Sequence, residues 1–130
     1  MFTLGEATRE AIKKSGKRVL LVASHSLSHR HFTTETALPE DMSKEHISNH
    51  NQYLWDMKVI ELMRQGKTRE LFYLIPDFVE HAVAEADSGA LTWLLSALSF
   101  PEFPATLHGY GTVIGTGNAI VEWRMPQGEA

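Results

Sequence analysis

The sequence contains no cysteine. That excludes disulfides, thiolate nucleophiles and cysteine-ligated zinc or iron–sulfur centres. Basic residues are not in excess: 12 Lys and Arg face 16 Asp and Glu, a net charge of −4. No cationic stripe is present to neutralise nucleic-acid phosphates or an anionic membrane surface. No apolar run approaches the roughly 20 residues needed to span a bilayer. The start "MFTLGEATRE" carries charge where a signal peptide needs its apolar centre, so the cytoplasm is the expected compartment. Familiar catalytic signatures are missing too. There is no H-E-x-x-H, no G-x-S-x-G and no P-loop lysine. The stretch "HGYGTVIGTGNA" fails as a dinucleotide fingerprint, because Ile114 stands where a glycine is required and a strand follows. Its glycines are expected in tight turns or at close backbone approaches.

What remains is a globular composition. The chain has 130 residues, 43% apolar and 22% charged, enough for one domain with a core. "TLGEATREAIKKSG" predicts a first helix, with Thr3 and Glu6 as a capping box and Gly16 as the C-terminal cap. "RVLLVAS" predicts a strand buried on both faces. "TTETALPEDMSKEH" predicts a loop into a helix in which Trp55, Val59, Leu62 and Met63 recur at helical spacing and Gly66 ends the run. "TRELFYLI" and "PDFVEHAVAEADSGALTWLLSALSF" predict two or three further helices, the second opened by Pro76. "ATLHGYGTVIGTGNAIVEWRM" changes period to two glycine-punctuated strands, the latter being "NAIVEW". The expected class is α/β over residues 1–130 as a single unit, with a sheet that is thin for so many helices.

The chemistry-bearing stretch is "ASHSLSHRHF", where His25, His29 and His31 crowd the end of the expected strand. The carboxyl end of such a strand is where α/β folds place ligand crevices, and an imidazole titrates near pH 6.5. An acid/base role, a metal pair and a loop histidine bonded to backbone all fit this pattern. His46 and His50 share a polar helix start and read as a solvated face. His81 and Glu85 read as an i,i+4 pair on one helix, with Glu85 opposing the macrodipole near its C-terminal end.

"GEATREAI", "VLLVASHSLSHRHF", "AEADSGALTWLLSAL" and "GYGTVIGTGNAIVEW", in that order, resemble the class III extradiol ring-cleavage dioxygenases, the superfamily of the protocatechuate 4,5-dioxygenase catalytic subunit. The likeness runs over essentially the whole chain and is to catalytic subunits of the aminophenol branch. It implies an α/β fold with a helix-flanked mixed sheet, of which this chain is the C-terminal part. It also implies a non-heme Fe(II) enzyme that opens the ring of 2-aminophenol or a catechol with O2. On the matching positions His29 takes the role of acid/base and Glu85 that of an iron ligand. The two histidine ligands of the family lie in an N-terminal half without counterpart here. His25 departs from the small residue common at its position. The resemblance further implies an oligomer with a related or companion subunit. The alternative is a non-catalytic subunit or binding module that kept the fold without a complete metal site.

Overall fold

The computed structural model of the protein describes residues 1–30 and 49–126. The first helix, α1 (Phe2–Ser15), ends at Gly16, whose φ of 61° is the left-handed cap expected there. The capping box does not form. The helix starts at Phe2 with Met1 as its N-cap, so Thr3 already lies inside the first turn. Tertiary contacts account for the longer helix. The Phe2 ring sits between Phe72 and Phe100, at centroid distances of 5.7 and 6.1 Å, and the Phe2 carbonyl accepts from Ser96 Oγ at 2.8 Å.

The buried strand expected at 18–24 is not formed among the described residues. Leu20 is 86% exposed and Val22 68%. A strand is held by its ladder and its packed faces, and along this stretch neither is supplied. Pairing begins only at Leu27.

Helix α2 (His50–Arg64) is capped by Asn49, whose side chain accepts from the Gln52 amide at 2.9 Å. Its buried stripe is apolar at the C-terminal end, with Val59, Ile60, Leu62 and Met63. At the N-terminal end the same stripe is polar, with Gln52 and Asp56. Helix α3 (Thr68–Ala82) runs through Pro76 rather than breaking before it, which corrects the expected helix start. Leu71 and Ile75 ahead of the proline and Phe78 and Ala82 beyond it are all buried. Their shared face offsets the hydrogen bond that Pro76 cannot donate.

After α3, Val83 turns left-handed at φ 51°, and residues Glu85–Ser88 form one short left-handed turn. Helix α4 (Gly89–Ala97) follows and packs on α1. The two helices approach at Gly5, where a Cβ would overlap the Trp93 carbonyl and the Ser96 side chain. Trp93 Nε1 donates to Thr8 Oγ1 at 3.0 Å across the same contact. Strands β1 (Thr106–Val113) and β2 (Thr116–Glu122) form an antiparallel hairpin with a register shift between Leu107 and Gly109. Its turn residues Ile114 and Gly115 both have positive φ, 52° and 80°, the geometry whose twist suits a two-residue hairpin. The architecture is thus mixed α/β, four helices and a two-stranded sheet among the described residues. The core joins α2, α3 and α4, with Leu27, Phe100 and Ala105 closing it. Among the described residues no helix is long and apolar enough to cross a membrane.

Candidate functional site

Residues 27–29 are held from both sides. On one side the His29 amide donates to the Val83 carbonyl at 2.9 Å, and the Glu85 amide donates to the Leu27 carbonyl at 3.1 Å. These bonds flank an antiparallel bridge between Ser28 and Ala84. On the other side the Leu27 amide donates to the Gly117 carbonyl at 2.7 Å, and the Gly117 amide donates to the Ser28 carbonyl at 3.0 Å. The short rung therefore ties the turn after α3 to strand β2. It sets His29 beside Glu85, although 56 positions separate them in the chain.

The Ser26 amide donates to Glu85 Oε2. This bond holds the Glu85 carboxyl below the usual carboxylate range; partial burial opposes the shift, and the Ser26 hydroxyl, His29 and His25 add to it. Glu85 is thus an anion at neutral pH. The backbone around it is strained. Val83, Ala86, Asp87 and Ser88 all have positive φ between 46° and 55°, which costs an L-residue roughly 1–2 kcal/mol each. Helices α3 and α4, packed on either side of the turn, impose that geometry.

Behind the rung lies a buried carboxylate, Asp56, fully removed from solvent on α2. It accepts from the Ser28 amide at 2.9 Å, the Ser28 hydroxyl at 2.8 Å and the Tyr110 hydroxyl at 2.7 Å. Burial pushes its carboxyl above the ordinary value even though these three donors pull it down. The Tyr110 phenol is likewise raised, by burial and then by its bond to Asp56. Strand β2 passes so close that a Cβ on Gly117 would overlap Asp56 Oδ2. This is a close backbone approach of the kind expected of the glycine-rich stretch, and Gly115 provides the tight turn.

The remaining sequence candidates disperse. His25 stays near Glu85, its Nδ1 donating to the Ser26 carbonyl at 2.6 Å. His31 and His46 lie outside the described residues, as does the expected loop at 33–46. His50 stacks on Tyr53 at 6.0 Å, and His81 on Trp55 at 5.5 Å. His81 and Glu85 are not a helical pair, because α3 ends at Ala82. Glu85 also does not oppose that helix's macrodipole; it follows the left-handed Val83 and precedes α4. Sequence reasoning missed Asp56 and Tyr110. The one available signal was a charged residue on the stripe of α2 that also carries Val59, Leu62 and Met63.

The described residues hold no cluster of three or more His, Asp or Glu able to bind a metal. Glu85 by itself suits a ferrous ion, being ionised, ordered by Ser26 and flanked by imidazoles. A complete donor set would need ligands from outside the described residues.

Residues 1–121 match the family model described as the catalytic LigB subunit of aromatic ring-opening dioxygenase. The chain is 61% identical over 125 residues to the 2-aminophenol 1,6-dioxygenase beta subunit of a Pseudomonas species, covering 96% of this chain and 41% of that protein. It is 30% identical over 114 residues to the alpha subunit of the same name, covering 88% and 41%. The 3,4-dihydroxyphenylacetate 2,3-dioxygenase of Escherichia coli is 26% identical over 100 residues, covering 77% and 35%. The chain thus spans about two-fifths of the length of these relatives. The expected family is borne out, but the expected particular likeness to a catalytic subunit of the aminophenol branch is not shown, since the aminophenol relatives are a beta and an alpha subunit. On the match over residues 1–121 and the likeness to both subunits, the chain belongs to the LigB family of aromatic ring-opening dioxygenase subunits.

Proposed function

We propose that this chain is the C-terminal portion of the catalytic unit of an extradiol dioxygenase, of the 2-aminophenol 1,6-dioxygenase beta-subunit type. In this reading it opens 2-aminophenol or a catechol with O2 in the cytoplasm, together with a companion subunit. One observation carries the reading: the rung at residues 27–29 places the His29 imidazole beside an ionised Glu85. The residues that the sequence resemblance suggests as acid/base and carboxylate ligand are thereby neighbours across the rung.

Glu85 would hold Fe(II), with two histidines from outside the described residues completing a 2-His-1-carboxylate face. Iron held there would supply Lewis acidity toward an aromatic hydroxyl or amine and toward O2. This chain's own residues handle geometry and protons. Ser26 orients the carboxylate through its amide. His29 takes the proton that the substrate's hydroxyl or amino group gives up, holds it on a ring nitrogen and returns it as the ring opens. General acid/base catalysis of this kind is typically worth about 10²–10⁴ in rate.

A second reading, a subunit or binding module without its own metal, draws on the absence of a three-ligand cluster among the described residues. Iron content and ring cleavage separate the two. Measured on residues 1–130 alone, iron should be weakly held and turnover absent. Measured on the full-length subunit with its companion, both should be present. Stoichiometric iron with ring cleavage by residues 1–130 alone would contradict the portion reading. A full-length subunit that binds no iron would favour the metal-free module.

A further inference from the structure

We propose that Asp56 and Tyr110 are positioning residues for ring cleavage, fixing the 27–29 rung and thereby the aim of the His29 imidazole. The proposal rests on the reading of His29 as the acid/base.

Ser28 has no polar group left to move. Its amide and hydroxyl both donate to Asp56, and its carbonyl accepts from Gly117. Successive side chains along an extended segment point to opposite faces. The Ser28 hydroxyl and the Asp56 carboxylate therefore lie behind the rung, and the His29 side chain leaves from its other face. Any rotation of the rung that re-aims His29 has to break the two bonds to Asp56.

Tyr110 fixes the carboxylate itself. Its hydroxyl and that of Ser28 share Oδ2, while the Ser28 amide takes Oδ1. One group thus joins α2, β1 and the catalytic segment. Gly117 completes the cradle, since any side chain there would displace Oδ2.

Holding segments together does not by itself call for a buried charge. A well-packed apolar residue of similar volume is often as stabilising as a buried ionic group or better. What a carboxylate with three donors adds is direction, because each bond has a narrow angular range. That return is useful where the next residue must point accurately, and the next residue is His29.

The test uses the full-length, iron-loaded enzyme with its companion subunit. Tyr110→Phe keeps the ring and its packing while removing one donor, and Asp56→Asn keeps the shape while removing the charge. Each should lower kcat about tenfold with KM and iron content unchanged, a coupling within the usual range for groups in contact. In a His29→Ala background, each added change should alter kcat by less than about twofold, because the group being positioned is gone. Restoring the carboxylate with Asp56→Glu should recover part of the rate lost in Asp56→Asn. Wild-type kcat in both Tyr110→Phe and Asp56→Asn would overturn the proposal while leaving the role of His29 intact. So would an undiminished tenfold loss in the His29→Ala background. If His29→Ala itself keeps the wild-type rate, the acid/base reading falls and the proposal with it.

Discussion

Ser28 gives both of its protons to one group, its amide to Asp56 Oδ1 at 2.9 Å and its hydroxyl to Asp56 Oδ2 at 2.8 Å. Neither residue reaches the candidate site, yet the bonds lock the backbone on which His29 stands. Around this lock the chain's separate pieces converge: α2 brings the carboxylate, β1 the Tyr110 hydroxyl, and β2 the Gly117 backbone.

The closeness of β2 to that carboxylate predicts an asymmetry between glycines. Gly117→Ala should destabilise the chain by about 1–3 kcal/mol, since the new methyl overlaps Asp56 Oδ2 in a filled region. Gly111→Ala, on the neighbouring strand with open space around the added Cβ, should stay within about 0.5 kcal/mol. Chemical denaturation of both variants compares them directly. Equal effects would show that the Gly117 contact is relaxed at no cost.

Glu85 and the buried Asp56 behind the rung should respond to pH in opposite senses. Glu85 has a lowered folded-state pKa, so its contribution is present above the unfolded value and is lost as pH falls through the folded one. Asp56 has a raised folded-state pKa, so stability falls as pH rises from the unfolded value to the folded one. Denaturation across roughly pH 3 to 7 should therefore show Glu85→Gln losing less stability than wild type on acidification. Asp56→Asn should gain relative to wild type as pH rises. Parallel curves for all three proteins would remove the electrostatic account.

Much of this was legible in the sequence, for physical reasons that differ by element. The Gly16 cap and Gly115 of the hairpin turn are local, set by a residue type that adopts positive φ without strain, and they read correctly. The helix through Pro76 did not, because its continuity comes from burial on both sides of the proline rather than from local preference. The strand expected at 18–24 failed for the converse reason: its apolar residues signal burial, but a strand needs a partner that no described segment supplies. Glu85 was singled out, though its local reasoning was mistaken, since the residue lies beyond the helix it was assigned to. Asp56 stayed hidden because a single charge on a helix stripe looks like an interruption until its donors arrive from elsewhere in the chain.

The role proposed for Glu85 makes a prediction about metal. In the full-length enzyme Glu85→Ala should lose iron, as the remaining face lacks both its third ligand and its negative charge. Metal analysis of the purified variant decides it. Full iron occupancy would show that the carboxylate serves the rung and the imidazoles only.

The histidine cluster predicts a graded pattern. His25→Ala should change the rate far less than His29→Ala, because His25 is tied to the neighbouring Ser26 carbonyl and does not match the family's acid/base position. His31→Ala serves as a second control. A severe His25→Ala beside a mild His29→Ala would move the acid/base assignment four residues back along the chain.

The most direct measurement is turnover and iron content of His29→Ala in the full-length enzyme. The account predicts full iron with a rate lower by roughly 10²–10⁴. Loss of iron would make His29 a metal ligand instead, and an unchanged rate would remove it from the chemistry altogether.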